Sequence, residues 1–202
     1  MKLVIMTKST FFVEEDKILT TLFDEGMDNL HLFKPGSTPL YAERLLSLIP
    51  EDYYRKITVH DHFYLKNEYD LAGIHLDSAD TEIPNNYKGK IGRTCTDIQM
   101  LKEMKKKSSC VFLKNIFDCI EFSEEKKTFT QQQLEDAADK GLIDRHVYAL
   151  GGMSLDNIRM AKTLGFGGVG ICGDLWSRLD IHNQTDFKEL IAHFEKLRNA
   201  VR

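Results

Sequence analysis

Apolar residues gather in short runs rich in β-branched and aromatic side chains. The runs are KLVIM (2–6), NLHLF (29–33), KITVH (56–60), AGIHL (72–76), KIGRT (90–94), CVFLK (110–114), HVYAL (146–150) and GVGIC (168–172). Runs of this length and composition predict strands, about eight of them. Their apolar character is nearly continuous rather than alternating, as in strands covered on both faces of a parallel sheet.

Segments of helical periodicity fall between them. EEDKILTTLFDEG (14–26) sets Ile18, Leu19, Leu22 and Phe23 on one stripe and ends at Gly26, a suitable C-cap. YAERLLSLIPED (41–52) is stopped by Pro50, and TDIQMLKEMKKK (96–107) opens on Thr-Asp and aligns Ile98, Leu101 and Met104. TQQQLEDAADKG (130–141) ends at Gly141, and SLDNIRMAKTLG (154–165) opens at Ser154 and ends at Gly165. TDFKELIAHFEKLRNAV (185–201) carries Phe187, Leu190, Ile191, Phe194 and Leu197 as its apolar stripe. The link DSADTEIPNNYKG (77–89) is irregular.

Strand–helix alternation of this kind predicts an α/β fold with right-handed crossovers. About eight units in 202 residues favour a compact (β/α)8 TIM barrel spanning 1–202 as a single domain. A doubly wound open sheet is the alternative. In a barrel the functional residues stand at the C-terminal ends of the strands, so the strand assignment becomes a site assignment.

Composition narrows the functional class. With 42% hydrophobic and 29% charged residues the chain reads as an ordinary globular protein. A net charge of −4 gives no electrostatic footprint for nucleic acid or an acidic membrane surface, and KEMKKKSSC (102–110) reads as a solvated helix face. No run of 18 apolar residues exists, so no membrane span is expected. The start, MKLVIMTKSTFF, lacks the long apolar core of a signal peptide. Cys95, Cys110, Cys119 and Cys172 are scattered without a CxxC, which points to reduced thiols in a cytoplasmic protein.

The strand ends supply the candidate chemistry. After the seventh strand come Gly151 and Gly152, and after the eighth comes Gly173. Residues without Cβ let phosphate oxygens reach backbone N–H groups, and a following helix N-terminus adds positive partial charge. The alternative is that these glycines only make turns. After the third strand stand His60, Asp61 and His62, and after the fourth His75, Asp77 and Asp80. Asp61 and Asp80 could hold Mg²⁺, which takes oxygen ligands. The histidines suggest a transition metal or a general base. Alternatively the two aspartates cap turns and His75 faces the core.

In this order NLHLFKPG, ITVHDHFYLKNEYDLAGIHLDSAD, IGRTCTDIQML, VFLKNIF and ALGGMSLDNIRMAKTLGFGGVGIC resemble the thiamine-phosphate synthase / TenI-like thiazole tautomerase family. The resemblance runs from about residue 29 to 175, and GGMSLDN with the following GFGGVG are its most specific parts. It implies a (β/α)8 barrel that joins aminopyrimidine methyl diphosphate to thiazole phosphate and releases pyrophosphate. Mg²⁺ and cationic side chains would neutralise the departing diphosphate.

Carried over position by position, the resemblance implies Mg²⁺ ligation by Asp61 and Asp80. Thr94 stands where a diphosphate-contacting Ser is usual, Gly151 and Gly152 match the thiazole-phosphate loop, and Gly173 falls in its partner loop, where Ser is usual. His60 replaces the Asn that usually precedes the metal-binding Asp. Asp77 and Ser78 replace the Gly-Gln of H-[LIV]-G-Q-x-D. Synthases read Q-x-R-x-K after the second strand, where this chain has His31, Phe33 and Pro35, leaving Lys34 to contact diphosphate. After the sixth strand the usual threonines and Lys are absent from Lys114–Phe122. The tautomerase branch relaxes those positions, but its His before [IV]-F is Asn115 here, so His31, His60 or His62 would move the proton. Three readings follow: a synthase, a tautomerase, and a non-catalytic thiazole or thiamine phosphate-binding protein. A homodimer is a further expectation.

Overall fold

The computed structural model describes residues 1–78, 80–122, 124–179 and 187–202. Eight strands form in chain order: β1 (Lys2–Met6), β2 (Leu30–Leu32), β3 (Ile57–Val59), β4 (Gly73–Leu76), β5 (Lys90–Cys95), β6 (Cys110–Leu113), β7 (Val147–Ala149) and β8 (Gly168–Ile171). They pair in parallel, each with its sequence neighbours, and β8 returns to β1 with Lys2 opposite Gly168 and Ile5 opposite Ile171. The sheet is therefore a closed barrel, and the open-sheet alternative is excluded.

Helices α1 (Glu15–Asp24), α2 (Pro39–Leu48), α3 (Leu65–Glu68), α4 (Leu101–Lys106), α5 (Gln131–Asp139), α6 (Ile158–Thr163), α7 (Gly173–Trp176) and α8 (Lys188–Val201) follow the strands. α1 buries Ile18, Leu19, Leu22 and Phe23, the stripe expected of it. α2 starts at Pro39, two residues before the expected start, because proline's fixed φ suits the first helical position. α5 opens on a capping box in which the Thr130 side chain accepts from the Gln133 N–H and the Gln133 side chain accepts from the Thr130 N–H. Of the expected closing helix, Thr185 and Asp186 lie outside the described residues. No helix among the described residues is long and apolar enough to cross a membrane.

Two helix starts move later: the helix expected over 96–107 begins at Leu101, after a 3₁₀ turn over Ile98–Met100. The helix expected to open at Ser154 begins at Ile158. Residues 154–157 form a turn in which the Ser154 N–H donates to Asn157 Oδ1 at 2.9 Å and Asn157 Nδ2 donates to the Gly152 carbonyl at 3.0 Å. The Asn157 side chain thus satisfies backbone groups that another helical turn would have satisfied.

Two apolar layers result. The larger packs between sheet and helices and includes Ile5, Leu19, Leu46, Val111 and Phe194. The smaller fills the barrel bore with Val4, Met6 and Phe112. His31 stacks on Phe112 at a centroid distance of 5.0 Å, and His75 lies tilted against it at 4.8 Å. Gly92 makes room for this layer, since a Cβ there would lie 2.3 Å from His75 Nδ1.

Candidate active site

A cavity of about 190 Å³ opens at the C-terminal ends of the strands. Met6, Phe33, Leu150, Met153, Ile120 and Phe122 supply its apolar wall. Its polar groups collect at two ends. Asp77 and Thr94, following or ending β4 and β5, mark one; Gly151, Gly152, Cys172 and Gly173, beyond β7 and β8, mark the other. The segment after β6 contributes Lys114, Cys119, Glu121 and Glu125.

Gly151 and Gly152 have φ of 91° and 60°, left-handed conformations natural to glycine. A Cβ on Gly151 would lie 2.8 Å from the Asn115 N, and one on Gly152 would lie 2.3 Å from the Asp118 carbonyl oxygen. The body that comes close to this double glycine is therefore the chain's own post-β6 segment, which folds across the β7 loop. The Ile116 and Phe117 N–H groups donate to the Leu150 and Gly151 carbonyls at 3.1 and 3.0 Å. Among the described residues, the N–H groups of Gly151, Gly152 and Gly173 donate to no other protein group. With α6 displaced to Ile158 and α7 four residues long, these N–H groups, rather than a helix dipole, are the donors of this end.

Glu121 closes the same end. Its Oε1 accepts from the Ser9 N–H at 2.9 Å and the Ser9 hydroxyl at 2.8 Å, and its Oε2 accepts from Cys172 Sγ at 2.7 Å. Burial, reinforced by Glu121, pushes the Cys172 thiol well up, so it is a hydrogen-bond donor rather than a nucleophile.

The opposite end is a directed hydrogen-bond network. The Thr94 hydroxyl donates to Asp77 Oδ1 at 3.2 Å, so its oxygen accepts from His75 Nε2–H at 2.9 Å. His60 Nδ1–H donates to Asp77 Oδ2 at 2.8 Å, which leaves His60 Nε2 to accept from His31 Nδ1–H at 2.8 Å. The proton positions follow from the donor and acceptor capacities of the groups. One neutral tautomer of each imidazole satisfies every one of these contacts. Burial drives the His31 and His75 imidazoles well below their ordinary value, with the electrostatic influence of neighbouring His60 adding to the effect. The remaining His75 nitrogen, Nδ1, is buried without a partner against Gly92.

The three imidazoles each place one nitrogen within 4.8 Å of the others, as a metal-ligating trio would. Two features oppose that use. The hydrogen bonds above occupy His31 Nδ1, both nitrogens of His60 and His75 Nε2. The His60 and His75 rings also stack at 4.4 Å and 21°, so their in-plane lone pairs do not converge on one ion.

The residues expected from sequence distribute unevenly. Thr94, Gly151, Gly152 and Gly173 border the cavity, whereas His60 is buried behind Asp77. Lys34 requires correction. Its expected diphosphate contact is replaced by a buried ion pair with Glu15 at 2.6 Å, both side chains 2% exposed, and a hydrogen bond to the Thr10 carbonyl at 2.9 Å. Burial pushes Lys34 down and Glu15 up, each opposed by the other's charge. Asn115 holds φ of 64° at the base of the post-β6 segment, does not border the cavity, and leaves its Oδ1 buried without a partner. His62 donates to or accepts nothing in the network; its Nε2–H donates to the Ser37 carbonyl at 2.9 Å.

Neither Asp61 nor Asp80 borders the cavity. Asp61 is half-buried, burial pushes its carboxyl up against the opposing pull of His60 and His62, and it makes no hydrogen bond among the described residues. Asp80 is exposed, and its N–H donates to Ser78 Oγ at 3.2 Å. Both are oxygen ligands of the kind Mg²⁺ takes, yet neither stands in the cavity lining. The cavity wall also calls for added positive charge with an anionic ligand, because Asp77, Glu121 and Glu125 face Lys114, whose Nζ is paired with Glu125 at 2.5 Å. Sequence reasoning named Asp77 after the fourth strand without giving it a role, and passed over Glu121 and Lys114 as cavity groups. The signal for Asp77 was its place immediately after β4.

A closed parallel eight-stranded barrel with a cavity at its C-terminal strand ends defines a (β/α)8 barrel protein. A crystal structure of thiamine phosphate pyrophosphorylase from Bacteroides thetaiotaomicron is 42% identical, over 99% of this chain and 97% of that one, with a TM-score of 0.91. The chain therefore belongs to the thiamine-phosphate synthase (thiamine phosphate pyrophosphorylase) family. A thiamine phosphate pyrophosphorylase from Pyrococcus furiosus, 18% identical over 99% of this chain and 95% of that one, shares the fold at a TM-score of 0.73. A 3-hexulose-6-phosphate synthase, 14% identical over the whole of both chains, does so at 0.65. No protein-family model matches the chain, and neither does any curated protein.

Proposed function

We propose that the protein couples aminopyrimidine methyl diphosphate to thiazole phosphate, forming thiamine phosphate and releasing pyrophosphate. The observation that carries this reading is the 42% identity, over nearly both whole chains, to a thiamine phosphate pyrophosphorylase. The division of the cavity supports it. The phosphate of the thiazole would take the free N–H groups of Gly151, Gly152 and Gly173, as anions take backbone amides elsewhere. The apolar wall of Leu150, Met153 and Phe33 would hold the rings in register and exclude water. Thr94, whose one hydroxyl proton goes to Asp77 Oδ1, would line the cavity beside the pyrimidine, and Lys114 would add the cation of the wall.

Asp61 and Asp80 would hold Mg²⁺. When bound with the diphosphate, Mg²⁺ neutralises the charge that builds on the leaving group. Incubation with both substrates and Mg²⁺ should yield thiamine phosphate and an equal amount of pyrophosphate. An Asp61→Ala variant should lose at least ~10²-fold in rate, the scale on which one preorganised electrostatic group acts. Absence of product from the wild-type protein would overturn the reading.

One observation favours a second reading. Lys114 is the cation bordering the cavity among the described residues, and it is already paired with Glu125. A tautomerase acting on a thiazole carboxylate phosphate needs less positive charge, and its activity would be independent of Mg²⁺.

A further inference from the structure

Asp77 faces the cavity with its carboxylate 42% exposed, while the two groups that fix it lie behind or beside it. His60, with a fully buried side chain, donates to Oδ2, and Thr94 donates to Oδ1. His60 is in turn fixed by His31, and Thr94 by His75. Every donor in the network points toward Asp77, so its charge is held in place and its remaining lone pairs turn toward the ligand. A carboxylate so held is an acceptor site. It has no proton to give while ionised, and it disfavours any ligand atom that is itself an acceptor.

We propose that Asp77 is the group that selects a heteroaromatic ring bearing an exocyclic amine, with His60 and His31 as positioning residues. The ligand class follows from the two ends of one cavity: an anion at the glycine N–H groups beyond β7 and β8, and an N–H donor ring at the carboxylate beyond β4. In the reaction proposed above, on which this inference rests, that ring is the aminopyrimidine. The amine N–H donates to Asp77 Oδ1 or Oδ2, and the fixed negative charge also lies near the positive charge that develops on the ring as diphosphate leaves.

Asp77→Asn tests this with the fold preserved, because the site is partly exposed. The Asn amide oxygen accepts from His60 Nδ1–H, and its NH₂ then turns a donor toward the cavity, reversing the polarity offered to the ligand. Binding is measured by calorimetry for aminopyrimidine methyl diphosphate and for its analogue with hydrogen in place of the amine, with thiazole phosphate as a second ligand. Wild type should prefer the amino form by at least ~10-fold, the scale of a hydrogen bond to a charged group. Asp77→Asn should erase that preference and leave thiazole phosphate affinity within about two-fold. His60→Leu should shrink the preference in the same direction, a readout that loss of packing alone would not move. Retention of the full preference in Asp77→Asn would overturn the inference while leaving the synthase reading intact. Failure of wild type to bind either pyrimidine would overturn the synthase reading, and this inference with it.

Discussion

Replacing Glu15 with Leu should destabilise the protein by about 3–5 kcal/mol, the cost of leaving a buried charge without its partner. Glu15 stands in the first turn of α1, and Lys34 lies just beyond β2; their side chains meet at 2.6 Å with 2% of each exposed. The ammonium has little besides the Thr10 carbonyl and the face of Phe11, 4.5 Å from its Nζ, to replace the carboxylate. Water cannot reach it without opening the contact between α1 and the β2 loop. For a chain of this size the loss corresponds to a fall in Tm of roughly 6–20 °C. The double change Glu15→Leu with Lys34→Met should recover most of it, because an apolar pair of similar volume carries no desolvation penalty. Denaturant unfolding of the three variants checks this. A single variant within about 1 kcal/mol of wild type would show that Lys34 reaches solvent on its own.

The second large effect is loss of stability in mild acid. His31 and His75 are neutral in the folded barrel because burial holds their pKa values well below 6.5, and the unfolded chain has no such constraint. Below the unfolded value near 6.5 the unfolded state therefore binds more protons than the folded state. Stability is fully present above that pH and falls as pH drops through it. The limiting slope is ~1.4 kcal/mol per pH unit for each histidine. The groups facing them do not reverse this. His60 opposes their protonation, as Arg93 does for His75, while Asp77 is engaged through His60 and Thr94. Glu15, whose pKa is raised by burial, acts in the opposite sense, since the folded state holds its proton more tightly. Unfolding free energies at pH 7.5, 6.5 and 5.5 should decline across the last interval. His31→Phe, which keeps a ring against Phe112, should reduce that slope. A wild-type stability that is flat between pH 6.5 and 5.5 would contradict the neutral network.

Much of the barrel could be read from the chain. Seven of the eight strands lie within an apolar run and β5 extends one residue past its run to Cys95, because a strand covered on both faces needs apolar residues at nearly every position. The stripe of α1 was equally plain, since its four expected positions are buried at helical spacing, while in α8 Leu190, Phe194 and Leu197 are buried as expected and Phe187 and Ile191 only partly. The start of α6 was misplaced because Ser154 resembles an N-cap, whereas Asn157, three residues on, turns its side chain back to the Ser154 N–H and the Gly152 carbonyl. That choice is local but depends on a side-chain conformation.

The site was legible in position and less so in partnership. The rule that strand ends carry function correctly drew attention to Thr94, Gly151, Gly152 and Gly173, all of which border the cavity. It could not show that Lys34 turns away to Glu15, nineteen residues earlier, because that pairing exists only once α1 docks. Nor could it show that Asp77 gathers His60 from β3's end and Thr94 from β5. The double glycine was read as space for a ligand. The barrel shows that the post-β6 backbone takes up part of that space, leaving the N–H groups rather than the whole loop for an anion.

In the proposed function those N–H groups hold the phosphate of the thiazole. This is tested most directly by calorimetric titration of the protein with thiazole phosphate and, in parallel, with the unphosphorylated thiazole alcohol. The phosphate form should bind and the alcohol at least ~10-fold more weakly, since it carries no phosphate oxygens to accept from the Gly151, Gly152 and Gly173 amides. Equal affinity for the two forms would contradict it.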